Sequence, residues 1–279
     1  MKRKSYVVEI LLTCFLIALL LFKVFPFWEQ EEIKEDDKTN EEFKQFETAV
    51  KASSKYPEQE RIHQKIVDSI DYFKTVEGEY EVVDVEIDST QKITYYIDSE
   101  HKRGRSSFME NNQKEKTVIY NENKKITFDD NEGTYQEFSW HPVKKDEKLL
   151  KMPPNKRYLN ETGSQLSRQD AEFIGYASQS INFELSFLFM FYEDWKIESE
   201  IEYLGLPTYK ITGVVSEKLS DNLKGNFEMI VEKNTGIILD FRSFDDNGQI
   251  KYSITTKKIK LNQEMDSQVF LKNMSGYKK

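Results

Sequence analysis

The chain has 279 residues and a formal charge of −9, so it lacks the excess of lysine and arginine that a nucleic-acid surface needs. The same charge disfavours broad adhesion to an anionic membrane face. The single cysteine, Cys14, lies inside an apolar segment, so the rest of the chain has no cysteine with which to form an internal disulfide. Its 15 tyrosines and 19 phenylalanines supply ample material for a packed core.

An apolar segment stands near the N-terminus. It is uncharged from Ile10 to Phe22 and apolar in character over 6–28, a length that reaches roughly 34 Å as a helix and so crosses a hydrocarbon core of about 30 Å. Basic residues at 2–4 precede it and acidic residues follow it, which places residues 1–5 in the cytoplasm. A cleaved signal peptide is the alternative, but no small-x-small cleavage site follows the run. We predict a single-pass cell-membrane protein with an uncleaved signal anchor and an extracytoplasmic C-terminal domain.

The region after the anchor begins with acidic sequence. Residues 29–55 carry only a weak apolar stripe, so we predict a solvated acidic stalk. An extracytoplasmic domain over 56–272 and a polar tail at 273–279 are predicted to follow. The domain opens with a helix after Pro57, which suits a first helical turn, and Gly78 is expected just past its end. Apolar residues at helical spacing form its buried stripe: Ile62, Ile66, Val67, Ile70 and Phe73.

The apolar period changes from 3.6 to about 2 after this helix. Short polar turns separate the following segments, and short turns can join only antiparallel strands. The sequence therefore predicts a six-stranded meander. Its strands are expected at 79–87, 91–98, 103–110, 116–121, 124–129 and 133–139.

The middle of the chain, 141–166, lacks a clean period and contains three prolines, so we predict a long connection. A second helix is expected after Ser167, because Asp170 stands three positions on, as in a capping box. A strongly apolar run follows and ends at Trp195. Five more strands are predicted near 197–204, 207–215, 225–233, 236–244 and 249–260.

The late hairpins resemble a known family. Residues 225–240 read as a strand, a Lys-Asn-Thr-Gly turn at 233–236 and a second strand, and Asn247-Gly248 is typical of the two-residue turn that leads into the last strand. This ending is similar to the C-terminal half of the lipoprotein-localisation family, which includes the LolA and LolB carriers and the N-terminal domain of RseB/MucB. The resemblance covers about residues 57–270. It implies an α+β, mostly antiparallel fold: a curved half-barrel sheet of about 10–11 strands with two or three helices, added here to one N-terminal transmembrane helix.

The resemblance and the anchor together imply a non-enzymatic, membrane-tethered binding domain for acyl chains, lipoproteins or another apolar ligand. A half-barrel that binds acyl chains needs an apolar face that its own side chains do not fill. The apolar run supplies the predicted lining or lid: Phe183, Leu185, Phe187, Leu188, Phe189, Phe191 and Trp195. The alternative for each residue is that it fills the core. The alternative function is a protein-interaction or envelope-stress regulatory module with a filled half-barrel.

No pattern typical of catalysis stands out. His63, expected on the exposed face of the first helix, His101, expected in a turn, and His141 are widely separated and lack metal-ligand spacing. No phosphate loop, G-x-S-x-G elbow or extramembrane cysteine nucleophile occurs. Hydrolysis by an acidic pair such as Asp129-Asp130 is the remaining enzymatic alternative. We predict no catalytic residue, metal or cofactor.

The predicted partners are the membrane, through residues 6–28, and a lipid, lipoprotein or envelope protein, but no nucleic acid.

Overall fold

The computed structural model describes residues 55–111, 113, 115–121, 123–158, 168–182 and 184–279. The predicted cytoplasmic N-terminus, the signal anchor and all but the last residue of the acidic stalk lie outside these ranges. Within the ranges, no helix is both long enough and apolar enough to cross a membrane.

The first described helix, α1, runs from Pro57 to Val67. The predicted start is confirmed: Pro57 occupies the first turn, beside two acidic residues that favour the positive end of the helix dipole. The helix ends before the predicted stripe does, because Asp68 leaves helical geometry and a separate 3-10 turn, Ser69–Asp71, follows. The predicted stripe is buried, including Ile70 beyond the helix end.

The eleven strands of the described chain form one antiparallel sheet, as predicted. Their spatial order is β6-β5-β4-β3-β2-β1-β11-β10-β9-β8-β7, so the sheet is open, with β6 and β7 at its edges. The first and last strands pair at its centre, which joins the two meanders. The strands are β1 (Thr75–Asp84), β2 (Ser89–Asp98), β3 (Arg103–Glu110), β4 (Lys116–Asn121), β5 (Lys124–Asp129), β6 (Thr134–Ser139), β7 (Trp195–Tyr203), β8 (Leu206–Val215), β9 (Gly225–Glu232), β10 (Ile238–Phe244) and β11 (Ile250–Leu261).

The position of Gly78 differs from the prediction. It lies inside β1, which begins at Thr75, rather than in the connection after the helix. The ring of Tyr95 on the neighbouring strand crosses over it, and a Cβ on Gly78 would overlap the Tyr95 hydroxyl. A glycine in a strand often marks such a close approach, so this residue reflects packing and not a helix end.

The second predicted helix is a 3-10 segment, Gln169–Gln179, with a kink at Gly175 where φ is 54° and ψ is −128°. The capping-box prediction was wrong for Asp170, because its carboxylate accepts two hydrogen bonds from the Arg168 guanidinium, each of 2.8 Å, and no side chain caps the segment. Ser167 lies outside the described residues. We call residues 168–182 the wall segment. Shorter helical pieces complete the domain: α2 (Glu147–Leu150) and 3-10 turns at Pro154–Lys156, Ser186–Phe189, Tyr192–Asp194 and Ser267–Phe270.

The wall segment packs directly on one face of the sheet, which we call the inner face. A Cβ on Gly104 in β3 would overlap the carbonyl oxygen of Phe173, and the hydroxyl of Ser106 accepts a 2.8 Å hydrogen bond from the Tyr176 amide. Residues of β3 that alternate with these two point to the opposite, outer face. The backbone of the wall segment is therefore fixed against β3 by contacts distant in sequence.

The residues after β11 cross the outer face of the first meander. Phe270 is buried, with the guanidinium of Arg103 4.8 Å from its ring centroid. Within the predicted polar tail, Tyr277 packs its ring 5.1 Å from that of Phe128, and Lys278 forms a bridge with Thr134 at the start of β6. These contacts cover the side of the sheet opposite the wall segment.

Candidate functional site

A groove lies on the inner face, between the wall segment and strands β2 to β5. Two adjoining cavities of about 560 Å³ and 460 Å³ form it, each within the range of small-molecule sites. We call the two cavities together the inner groove. Residues that line both of them mark their junction: Tyr120, Lys125, Gly175, Ser178 and Glu184.

The junction depends on Gly175. A Cβ at this position would overlap the Ser106 hydroxyl and lie 2.7 Å from Cγ1 of Val118. Its positive φ of 54° is also a conformation that side chains with a Cβ rarely adopt. Glycine thus permits both the kink and the close approach of the wall segment to β3 and β4.

Apolar side chains make up much of the groove surface. In the smaller cavity, the rings of Phe108 and Tyr176 face each other with centroids 5.4 Å apart, one from β3 and one from the wall segment. The other apolar lining residues are Ile93 and Val118 in the smaller cavity and Val67, Val143, Ala171 and Ile174 in the larger one.

One carboxylate, Glu172, organises the polar side of the larger cavity. It accepts hydrogen bonds from Lys125 at 3.0 Å, from the Trp140 indole at 3.0 Å and from the Tyr120 hydroxyl at 3.2 Å. Burial opposes ionisation of this carboxyl, but the bonds from Lys125, Trp140 and Tyr120 outweigh it and lower the Glu172 pKa. Glu172 therefore stays ionised and neutralises the ammonium group of Lys125.

A buried group of charges holds the start of the wall segment. The Arg168 guanidinium bonds to carboxylates of Asp68 at 2.7 Å, Asp71 at 2.9 Å and Asp170 at 2.8 Å, and Arg157 bonds to the same Asp68 oxygen at 2.7 Å. We call these five residues the charge cluster. Burial lowers the Arg168 pKa, but Asp170 and Asp71 more than offset this effect and raise it. The cluster ties the end of α1 to both the 141–158 connection and the wall segment.

The residues predicted to line a ligand site are placed differently. Leu188, Phe189 and Trp195 are buried, and the Phe189 ring lies 5.6 Å from the rings of both Trp195 and Phe227, as core packing requires. The partly exposed members are Leu185, Phe187 and Phe191, while Phe183 lies outside the described residues. The inner groove is lined by other side chains. A ligand-lining role for the apolar run stays a prediction.

The histidines are also separated in the structure. The expectation for His63 was wrong: it is fully buried, because the helix face that carries it packs against Tyr158, whose hydroxyl lies 2.7 Å from Nε2, and Tyr192. His101 lies in the turn after β2, as predicted, with Nδ1 2.9 Å from an Asp98 oxygen. Over the described ranges, no group of three or more histidine, cysteine or acidic side chains is arranged to hold a metal ion.

The chain was compared with known proteins by sequence and by structure. No protein-family model and no curated protein sequence matches it. The structure is similar to Pseudomonas aeruginosa MucB in its complex with MucA, at 10% identity and a TM-score of 0.41 over 77% of this chain and 61% of that one. It is also similar to the Mycobacterium tuberculosis lipoprotein LppX, at 11% identity and a TM-score of 0.37 over 75% and 98% of the two chains. An uncharacterized conserved protein from Thermus thermophilus matches at 10% identity and a TM-score of 0.40 over 77% and 96%.

The match to MucB spans less than two thirds of that chain. A LolA-superfamily protein from Nitrosomonas europaea is also similar, at 6% identity and a TM-score of 0.26 over 75% of this chain and 97% of that one.

Proposed function

We propose that this chain is a non-enzymatic, membrane-tethered extracytoplasmic binding domain that takes the apolar part of a ligand, such as an acyl chain or a lipoprotein lipid, into the inner groove. The observation that carries the proposal is the groove itself. It combines two adjoining cavities, an aromatic pair at Phe108 and Tyr176, and polar groups at one junction. Concave apolar sites with a few convergent polar groups are typical of small-molecule binding.

The tether rests on the apolar sequence over 6–28 and the basic residues before it. We expect the full chain to stay in the membrane pellet after alkaline carbonate extraction, because an apolar helix of this length is held by the hydrocarbon core. Immunoblotting of the pellet and the supernatant measures the partition. Release of the intact chain into the supernatant would contradict the tether.

Ser178→Trp should weaken binding of a neutral alkyl ligand. Ser178 lines both cavities, so an indole at this position fills their junction. We expect the affinity for octanol to fall about tenfold or more, the equivalent of losing about 1.4 kcal/mol of binding free energy. The measurement is ligand-observed NMR on the full chain in phosphatidylcholine nanodiscs, with empty nanodiscs as the reference for partition into lipid.

Ser199→Trp is the matched control, because Ser199 is an exposed serine on the edge strand β7 and does not line the groove. Circular dichroism of both variants checks that they are folded. Equal octanol affinity in the wild type and a folded Ser178→Trp variant would overturn the groove as the binding site.

The second function, a protein-interaction module, is favoured by the edge strand β7. In the part of the chain that the structure describes, no strand pairs with its outer edge, and most of its side chains are exposed. An open edge can accept an extended segment of another protein by strand addition. A partner that pairs there would still bind the Ser178→Trp variant, so the same variant separates the two functions.

A further inference from the structure

The junction of the inner groove contains a carboxylate that forms no ion pair among the described residues. Glu184 lines both cavities, is exposed to solvent and accepts a hydrogen bond from the Ser178 hydroxyl. Across the described ranges, no lysine, arginine or histidine forms an ion pair with it. The other acidic residue of the groove, Glu172, is already bonded to Lys125.

A second acceptor lies in the same cavity. The side-chain oxygen of Gln179 is buried and has no hydrogen-bond partner among the described residues, although Gln179 lines the smaller cavity together with Glu184. A buried acceptor without a donor costs free energy, and a bound ligand that donates to it removes that cost. The Glu184 carboxylate and the Gln179 side-chain oxygen can therefore accept a hydrogen bond from a ligand but cannot donate one.

The cationic side chains that line the groove do not supply this donor. Lys125 is neutralised by Glu172, and Arg168 is bonded to three carboxylates of the charge cluster. After these pairs are counted, the charge that remains at the junction is that of Glu184. The groove thus offers a negative charge and a neutral acceptor beside an aromatic and aliphatic surface.

Building on the proposed function, we infer that the ligand of the inner groove carries a protonated amine beside its apolar chain. An ammonium group has three donors and no acceptor, so it pairs with the Glu184 carboxylate and keeps donors for a second acceptor such as the Gln179 oxygen. The apolar chain then lies along Ile93, Phe108 and Tyr176. A ligand with an anionic head group instead places its charge against Glu184.

Three octyl probes that differ only in their head group test the inference: octylammonium, octanol and octanoate. We expect the full chain in phosphatidylcholine nanodiscs to bind octylammonium about fivefold more tightly than octanol, since an ion pair at a solvent-exposed carboxylate has a modest effect, and octanoate most weakly. Ligand-observed NMR gives the three dissociation constants, and empty nanodiscs correct for partition into lipid.

Glu184→Gln keeps the shape of the side chain and removes its charge. The ratio of octylammonium to octanol affinity should then fall to about twofold or less. Gln179→Met removes the second acceptor without changing charge and should lower the same ratio. Glu217→Gln, at a carboxylate 75% exposed and outside the groove, is the matched control and should leave the ratio unchanged.

The outcomes separate the inference from the proposed function. If all three probes bind equally, or if Glu184→Gln leaves the ammonium preference intact, the inference is overturned while the groove remains an apolar site. If none of the probes binds, the proposed function fails and the inference fails with it.

Discussion

Arg168→Met is expected to lower the free energy of unfolding by about 3–5 kcal/mol, because it breaks a buried ion-pair group and leaves the Asp170 carboxylate without its ion-pair partner. Asp68 keeps its bond to Arg157, and Asp71 keeps its bond to Lys145. The Arg168 side chain is 4% exposed and bonds to Asp68, Asp71 and Asp170. Asp68 and Asp170 are themselves buried, so water cannot replace the lost guanidinium. Urea unfolding followed by circular dichroism measures the change.

Lys224→Met is the matched control. Lys224 also pairs with two carboxylates, those of Glu217 and Asp221, but all three side chains are exposed, so its removal should change stability little. Adding Asp170→Asn to the Arg168→Met variant should recover part of the loss, because it removes one uncompensated buried charge. Equal stability of the Arg168→Met and Lys224→Met variants would show that the charge cluster does not hold the wall segment.

The strands could be predicted because each leaves a local signal. Apolar and polar residues alternate in β9, for example, where Phe227, Met229 and Val231 are buried and point to one face. The pairing of β1 with β11 leaves no such signal, since it joins residues such as Val76 and Leu261 that are far apart in sequence. The fold resemblance, rather than the periodicity, supplied the expectation of one curved sheet.

The wall segment shows where local patterns fail. Its apolar stripe predicts a helix, and the stripe residues Phe173, Ile174, Ala177 and Ile181 are indeed buried. Over so few residues, the spacing of apolar residues does not distinguish an α-helix from a 3-10 helix. The kink at Gly175 arises from its contact with Ser106 and Val118, so no local pattern could reveal it.

The inner groove was missed because its residues come from separate strands. Alternation alone places Val118 and Tyr120 of β4 on one face, with Lys125 and Thr127 of β5 beside them in register. The apolar run at 183–192 was the predicted ligand site instead. Its aromatic rings, such as Phe189, are needed to fill the core. The pattern that indicates this groove is a strand face with both polar and apolar residues, rather than the most apolar segment of the chain.

The free energy of unfolding should fall by about 2 kcal/mol between pH 7 and pH 5, because of His63. Burial, and next the positive charge of Arg157, lower the pKa of His63 from 6.5 to about 3. Its ring is enclosed by Tyr158, Tyr192 and Phe189. Between these two pKa values the unfolded chain binds a proton that the folded chain does not, so stability is lost as the pH falls.

His63→Gln should remove this loss, although it also lowers stability at pH 7 by disturbing the contact with Tyr158. His141→Gln, at an exposed histidine, is the control and should retain the wild-type pH dependence. Urea unfolding of the wild type and both variants at pH 5, 6 and 7 measures the contribution of His63 by difference. Carboxylates with a lowered pKa, such as those of Asp71 and Glu172, lose their contribution below about pH 5. If wild type and His63→Gln lose stability equally over this range, the His63 ring is protonated in the folded state and its burial between the two tyrosines is not maintained in solution.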